Sequence, residues 1–275
     1  MSRSPRTFLV DNGSLQPAAN LALRELAAKL SPQLGCTVEP VSLLHSSGID
    51  PQHLNGRPAE ILFPALEQRC AAGQNDFVIL PLFFGPSEAL TVYIPDNLTR
   101  LRAKYPAFHV QVASPLYAAG DGRLAKILAD QVKAELAAER SEPVRVALVD
   151  HGSPVPGVTA VRNDLARQLP GLLGPLVAAV ASCSMERRPE PAYDFTAPLL
   201  ADLLATPPWK ASRVIVAMQF LLPGRHAGPE GDVAEICRQA EAAQPGLRTR
   251  MTALVGEHPL LLEILADRWR AVLFG

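Results

Sequence analysis

The sequence predicts an α/β protein of two tandem domains, each with a parallel sheet of about four strands and helices on both faces. The first observation is an internal repeat: LVDNGS begins at Leu9 and LVDHGS begins at Leu148, an offset of 139 residues. The second is that strand-like and helix-like segments alternate in the same order after each copy. The third is that the strand segments are apolar throughout, which is typical of parallel strands covered on both faces.

The repeat extends over most of the chain. VILPLFF in the first half corresponds to VIVAMQF in the second, and ILAD occurs near the end of both. Because these offsets agree within three residues, a duplicated unit explains them, and the two halves are expected to fold alike. The segment AAERSEPV, with charges and a proline, interrupts the pattern. We therefore predict a first domain over residues 1–141 and a second over residues 142–275.

Each element of the repeat has its own sequence signal. The strands are short apolar runs, predicted at 7–10, 37–43, 77–83 and 108–113 in the first half and at 144–149, 176–181, 213–220 and 248–253 in the second. The helix after each first strand follows a Gly-Ser turn and has apolar residues every three or four positions. Another helix is predicted at 59–71 and 197–205, and further helices flank each fourth strand. This alternation predicts parallel pairing within each sheet.

Composition and charge limit the classes of function. With 26 basic and 27 acidic residues the formal net charge is −1, which argues against broad binding of nucleic acid. The longest apolar run, near 172–183, contains Gly174 and Pro175 and is too short to cross a bilayer, and the start shows no signal-peptide pattern. The four cysteines are far apart, which indicates reduced thiols. We predict a cytoplasmic, pseudo-symmetric monomer without nucleic-acid or membrane partners.

Two histidines follow strands of the second half. His151 comes directly after the first strand of that half, and His226 comes shortly after the third. Because ligands of parallel sheets bind at the carboxyl ends of the strands, both imidazoles are expected at one edge. They predict a divalent-metal site that leaves coordination positions open. A single histidine after a strand is more often a hydrogen-bonded turn residue, and Asp150 fits two roles, orienting His151 or capping a helix.

Four arginines lie in segments near the same edge: Arg162, Arg187, Arg188 and Arg225. Guanidinium groups bind carboxylates through paired hydrogen bonds, so arginines beside a metal site predict a substrate with several carboxylates. Each of them taken singly is more often a solvated surface residue. Glycines and prolines around His226 predict a flexible loop that admits a bulky ligand.

Four motifs of the second half occur together: HGSP after its first strand, SMERR with a following YDF, PGRH after a buried strand, and GEHPLL near the end. This combination resembles the CbiX/SirB-type sirohydrochlorin chelatases, which are class II tetrapyrrole chelatases, in their long two-domain form. The resemblance implies two tandem chelatase-like domains. It also implies insertion of Co²⁺ or Fe²⁺, with Ni²⁺ as a further candidate, into sirohydrochlorin on a route to cobalamin or siroheme. The metal would be a substrate, and no organic cofactor is implied.

The resemblance also assigns roles by position. His151 and His226 would bind the metal and help deprotonate the macrocycle, with the division into ligand and base left open. Asp232 falls where the family has an acid, although the loop before it is longer here. Further residues are assigned to substrate binding (Arg187, Arg188, Arg225 and Ser153) and to orientation of the histidines (Asp150 and Asp232).

The first half lacks both histidines. Asn12 stands where the second half has its first site histidine, and Ser87, Glu88 or Ala89 stands at the second position, depending on the gap. Asparagine is a poor ligand for cobalt or iron and no base near neutral pH. We therefore predict a single active site, in a cleft between the domains and on the C-terminal half, with the degenerate first half as the opposite wall.

Two other functions fit parts of the sequence. A non-catalytic protein that binds or delivers a tetrapyrrole or a divalent metal would need the same residues, and the degenerate first half favours it. Multiple turnovers distinguish an enzyme from such a carrier. A nucleotide-binding protein is a weaker alternative, because neither a GxGxxG nor a P-loop motif follows any predicted strand.

Overall fold

The computed structural model of the chain describes residues 5–136 and 144–275, so the predicted domain boundary at 141/142 lies outside the described residues. The strands are β1 (Arg6–Asp11), β2 (Val38–Ser42), β3 (Asp76–Pro81), β4 (His109–Val112), β5 (Val144–Asp150), β6 (Val177–Ser184), β7 (Arg213–Met218) and β8 (Arg248–Met251). The α-helices are α1 (Pro17–Leu34), α2 (Leu62–Ala71), α3 (Ile94–Lys104), α4 (Arg123–Leu136), α5 (Pro156–Leu173), α6 (Leu200–Ala205), α7 (Asp232–Ala243) and α8 (Leu260–Phe274). None of the helices in these two ranges is long and apolar enough to cross a membrane.

The strands form two parallel sheets with the same order. The first sheet has the order β2-β1-β3-β4, and the second has the order β6-β5-β7-β8. The register pairs Leu9 with Leu80 in the first sheet and Leu148 with Ala217 in the second. The predicted class, two four-stranded parallel sheets with helices around them, is confirmed, and the equal strand order agrees with a duplicated unit.

Two elements of the second half differ from their predicted bounds by three residues at one end. The strand predicted at 176–181 is longer, because β6 continues to Ser184, which lies beside Asp150 at the end of β5. The helix predicted at 197–205 is shorter, because Leu199 forms a bridge with Ser184 and stays extended. Both differences result from pairing between strands, which the local sequence does not encode. They bring the ends of β5 and β6 together at the edge where ligands of such sheets bind.

The first compact unit contains Met1–Ala118 and Leu262–Gly275. One face of its sheet packs against α2 and α3 through apolar side chains such as Phe8. α1 and α8 lie on the other face, where the Trp269 indole donates a hydrogen bond to Thr7 Oγ1 at 2.8 Å. Helices therefore cover both faces, which explains why the strands of this sheet are apolar throughout.

The second compact unit contains Ala119–Leu261. One face of its sheet packs against α6 and α7 through a core that includes Val149 and Met218. α4 and α5 cover the other face, and the Gln131 side chain of α4 donates a hydrogen bond to the Leu254 carbonyl oxygen at 2.8 Å. α4 and α8 carry the two ILAD copies, so each unit includes the repeat's final helix from the other half of the sequence.

Candidate functional site

The turn after β5 is held by close contact with the backbone that follows β6. Gly152 has φ +95°, and a Cβ atom there would lie 1.9 Å from the Glu186 carbonyl oxygen, so glycine is required. Glu186 N–H donates to the His151 carbonyl oxygen at 3.1 Å. The Ser153 hydroxyl accepts a hydrogen bond from Val155 N–H at 3.1 Å as the chain enters α5, and its role in substrate binding stays a prediction. The turn therefore holds His151 and Glu186 at one edge of the sheet.

The two candidate histidine rings lie side by side. The ring centroids of His151 and His226 are 4.7 Å apart, and the ring planes meet at 69°. The side chains are 48% and 30% exposed, respectively, so both are reachable from solvent. Bonds between a metal and imidazole nitrogen are about 2.1 Å long, so one cation between the rings can contact both.

The Nδ1 atom of each imidazole has an oxygen partner. His226 Nδ1 lies 2.6 Å from Asp232 Oδ2, and His151 Nδ1 lies 2.9 Å from the Gly152 carbonyl oxygen. A carboxylate or carbonyl oxygen accepts, so the ring nitrogen donates, and a neutral imidazole then keeps the Nε2 lone pair free. Two free lone pairs at one edge are suited to binding a metal or accepting a proton.

Glu186 is a third donor that the sequence reasoning missed. Its Oε1 is 3.4 Å from His151 Nε2, and its side chain is 59% exposed. A carboxylate oxygen beside a ring nitrogen favours a cation or a shared proton between the two atoms. The sequence signal for Glu186 is its place just after the second strand, which lies next to the first in the sheet. In the described ranges, no group of three or more His, Cys, Asp or Glu side chains is placed so that it could hold a metal ion.

α7 anchors the loop that carries His226. Asp232 is the first residue of α7, and its N–H donates to the Arg225 carbonyl oxygen at 3.1 Å. Val233 N–H donates to the His226 carbonyl oxygen at 3.2 Å. The Asp232 carboxylate lies 3.6 Å from Arg225 Nε as well as contacting His226. Backbone and side-chain contacts together therefore set the position of the second imidazole.

Three of the candidate arginines are at the surface. Arg187 pairs with Asp194. Arg188 Nη1 donates to Tyr193 Oη at 3.0 Å, and its guanidinium carbon lies 5.2 Å from the centroid of the Tyr193 ring. Arg225 has 76% of its side chain accessible. All three can reach a ligand from solvent, and their binding of substrate carboxylates stays a prediction.

Arg162 is fully buried in α5, so the prediction that it faces a carboxylate-rich substrate is wrong. Its position on the helix faces the sheet, where Nη1 lies 3.4 Å from Asp150 Oδ1. The same oxygen accepts a hydrogen bond from the Ser184 hydroxyl at 2.7 Å. Burial raises the pKa of the Asp150 carboxyl above its ordinary value, although the Arg162 charge and the Ser184 hydrogen bond oppose this rise. Asp150 thus attaches the His151 turn to β6 and α5.

The equivalent edge of the first unit lacks these donors. Gly13 and Leu44 repeat the close contact between turn and backbone seen in the second unit. Leu44 therefore stands at the position of the carboxylate, and Asn12 stands at that of the first imidazole. Glu88 lies directly before a π-helical turn, Ala89–Tyr93, and its correspondence to the second histidine stays a prediction.

Asp11 has the place of Asp150 in the first unit but lacks its arginine. By the offset of 139 residues, Leu23 stands at the position of Arg162. Asp11 is buried, and among the described residues its Oδ1 has no hydrogen-bond partner. Burial raises the pKa of the Asp11 carboxyl to about 6, although hydrogen bonds from Ser42 and from the backbone oppose the rise.

Replacing Asp11 with asparagine should stabilise the protein at neutral pH. The carboxyl has an ordinary pKa of 3.8, which applies to the unfolded chain, and a pKa of about 6 in the folded chain. The folded state therefore binds the proton more tightly. This proton binding contributes about 3 kcal/mol in total to the free energy of unfolding. The contribution is fully present in acid below the unfolded pKa and is lost as the pH rises through the folded pKa. The asparagine side chain does not ionise and avoids this loss.

Urea unfolding of wild type and Asp11→Asn from acidic to neutral pH measures the difference in the free energy of unfolding. We expect the advantage of the variant to grow as the pH rises from 3.8 to about 6 and to stay constant at higher pH. Asp76→Asn removes an exposed carboxyl from the same sheet and serves as the control. If the difference in the free energy of unfolding between wild type and Asp11→Asn stays constant with pH, the raised pKa of Asp11 in the folded protein is wrong.

Residues 145–272 match the CbiX family model. The matched segment contains both candidate histidines, Glu186 and Asp232. The resemblance that the motifs indicate is therefore confirmed over this segment. No curated protein sequence matches the chain.

Solved structures share the fold over nearly the whole chain. SirB from Bacillus subtilis with Fe³⁺ is 16% identical with a TM-score of 0.68, and 98% of this chain and 96% of the other are covered. The SirB sirohydrochlorin chelatase from Bacillus subtilis subspecies spizizenii in complex with cobalt is also 16% identical, with a TM-score of 0.71 and coverage of 98% and 95%. CbiX, described as the terminal enzyme for siroheme biosynthesis in denitrifying bacteria, is 19% identical, with a TM-score of 0.61 and coverage of 98% and 99%. At these low identities the similarity concerns the fold alone.

Proposed function

We propose, from the match of residues 145–272 to the CbiX family model, that this chain is a chelatase that inserts Co²⁺ or Fe²⁺ into sirohydrochlorin or a closely related tetrapyrrole. The observation that supports this most is the pair of imidazoles whose ring centroids are 4.7 Å apart and whose Nδ1 atoms both have oxygen partners. The Glu186 carboxylate beside them adds an oxygen donor. Proteins with the same fold are described with Fe³⁺ and with cobalt.

The reaction exchanges two pyrrole protons for one divalent cation. Imidazole nitrogen and carboxylate oxygen are suitable ligands for late first-row cations, and three such donors leave positions open for the macrocycle nitrogens. As those nitrogens replace His151, His226 and Glu186 around the metal, the released groups become free to accept the two N–H protons. The histidines therefore share the roles of ligand and base, and neither a redox step nor an organic cofactor is required.

The substrate's carboxylates would bind to the surface arginines. Arg187 and Arg188 directly follow Glu186, and Arg225 directly precedes His226, so each arginine lies within two residues of a proposed metal donor in the sequence. Arginine is suited to this role because its planar group can donate two parallel hydrogen bonds to a carboxylate. The Ser153 hydroxyl would contribute a further hydrogen bond, and Asp150 and Asp232 would orient the histidines.

One site on the second half is part of the proposal, because Asn12 and Leu44 replace the imidazole and the carboxylate in the first. The predicted cleft between the domains, the monomeric state and the choice among Co²⁺, Fe²⁺ and Ni²⁺ stay predictions. A cytoplasmic location also belongs to the proposal, and the four free cysteines suit a reducing compartment.

A turnover assay tests this function against the carrier alternative. The protein is mixed below stoichiometry with sirohydrochlorin and with Co²⁺, Ni²⁺ or, without oxygen, Fe²⁺. We expect the absorbance change of the macrocycle to continue over many turnovers with at least one cation. A change that stops at one equivalent of protein would instead support a binding or delivery protein. A rate equal to the protein-free rate for every cation would contradict the chelatase.

A further inference from the structure

Arg162 is the largest fully buried side chain in the described part of the protein. A buried guanidinium is unfavourable unless its charge is paired and its N–H groups are bonded. Arg162 Nη1 faces the Thr196 carbonyl oxygen at 2.9 Å, Asp150 Oδ1 at 3.4 Å and the Ser184 hydroxyl. Nε and Nη2 both donate to Asn163 Oδ1, at 3.1 and 3.0 Å. Each nitrogen of the group therefore has an acceptor.

The acceptors of Nη1 belong to three separate segments, and each segment leads to a site residue. Asp150 directly precedes His151, and Ser184 lies two residues before Glu186. The third segment is the short 3-10 helix Pro191–Thr196, which contains the partners of two surface arginines. A single side chain thus connects the segments that carry the first imidazole, the carboxylate and the residues that hold the arginines.

The first half shows that the arginine is not needed for the fold itself. Asp11 and Ser42 repeat the contact between Asp150 and Ser184, but Leu23 stands at the position of the arginine. The sheet order is nevertheless the same in both halves. The arginine is therefore present in the half that has the metal donors and absent from the half that lacks them.

We propose that Arg162 is a positioning residue of the metal site, which sets the distance between the His151 imidazole and the Glu186 carboxylate through the ends of β5 and β6. This inference rests on the proposed function. Arg162 itself is buried and contacts neither metal nor substrate. Its contacts fix the positions of Asp150 and Ser184, and therefore the positions of the His151 and Glu186 side chains that follow them. Loss of a comparable supporting contact typically weakens metal binding by about 10–100-fold.

The first test replaces Arg162 with lysine. The lysine ammonium group can still pair with Asp150, so the fold is expected to persist. The ammonium group lacks the planar shape of the guanidinium and cannot reach all three acceptors. Titration with Co²⁺ alone, followed by the visible absorption of the bound ion, should show about 10–100-fold weaker affinity and an altered spectrum. A purely structural role would lower the unfolding temperature and leave the affinity and spectrum of the folded protein unchanged.

The second test is the double variant Arg162→Leu with Asp150→Asn, which removes both buried charges and leaves no unpaired one. We expect it to fold and to bind Co²⁺ about as weakly as Arg162→Lys. Wild-type Co²⁺ affinity in both variants would overturn the positioning role, provided that His151→Asn weakens Co²⁺ binding. If His151→Asn binds Co²⁺ as tightly as wild type, the proposed metal site itself is wrong.

Discussion

The His151→Asn variant should insert Co²⁺ into sirohydrochlorin about 10²–10⁴-fold more slowly than wild type, the range for loss of a positioned general base. Asparagine is the residue that the first half has at this position, and its amide is a poor ligand for cobalt and no base near neutral pH. The turn itself should persist, because the close contact of Gly152 with Glu186 is unchanged. Initial rates at saturating Co²⁺ measure the effect, and circular dichroism checks the fold.

Asn12→Ala is the matched control, since it changes the equivalent position of the first half. Its effect on the rate should be far smaller, because neither asparagine nor the neighbouring Leu44 offers the proposed metal donors. Wild-type turnover in His151→Asn would exclude this histidine from the reaction. Equal losses in the two variants would mean that the halves contribute alike and that the asymmetry is misinterpreted.

The second large effect is expected from Asp232→Asn, with Co²⁺ affinity lowered about 10–100-fold. The Asp232 carboxylate contacts His226 Nδ1 at 2.6 Å, which holds the ring and keeps the Nε2 lone pair free. An asparagine amide binds the same N–H without a charge and can also turn its own N–H₂ group toward the ring. The imidazole then loses its fixed orientation. Titration with Co²⁺ measures the change.

Arg225→Gln separates this effect from the ion pair that Asp232 also forms. Arg225 Nε is 3.6 Å from the same carboxylate, but the side chain is 76% exposed, so the ion pair is weak. We expect the Co²⁺ affinity of Arg225→Gln to stay near the wild-type value while the KM for the tetrapyrrole rises. A loss of Co²⁺ affinity equal to that of Asp232→Asn would assign the effect to the arginine instead.

The local sequence is sufficient to predict the class of fold. Apolar strand segments and helices with a period of three to four residues occur twice in the same order, and each half forms the same four-stranded parallel sheet. The largest errors in the predicted bounds of the second half occur where pairing with one strand determines how far a neighbouring segment stays extended. β6 reaches Ser184 because β5 pairs with it there, and residues before Leu200 stay extended for the same reason. Pairing of this kind depends on segments distant in sequence.

The candidate site was only partly predictable. His151 and His226 are found from sequence because each follows a strand whose carboxyl end must lie at the ligand-binding edge. Glu186 was missed because no rule of spacing relates it to His151; the two meet because β6 lies beside β5. Arg162 was grouped with the arginines near the ligand-binding edge, and only the packing of α5 on the sheet shows that it is buried.

The sequence alone therefore determined the duplicated parallel architecture, the edge of each sheet that can bind a ligand, and the asymmetry between an Asn12 half and a His151 half. These features depend on periodicity, strand order and residue type, which a linear chain displays directly. The tertiary structure decided which side chains meet at that edge, which arginine supports it from within, and which helices complete each compact unit. Such contacts join segments far apart in the chain, so their formation depends on how the strands and helices pack.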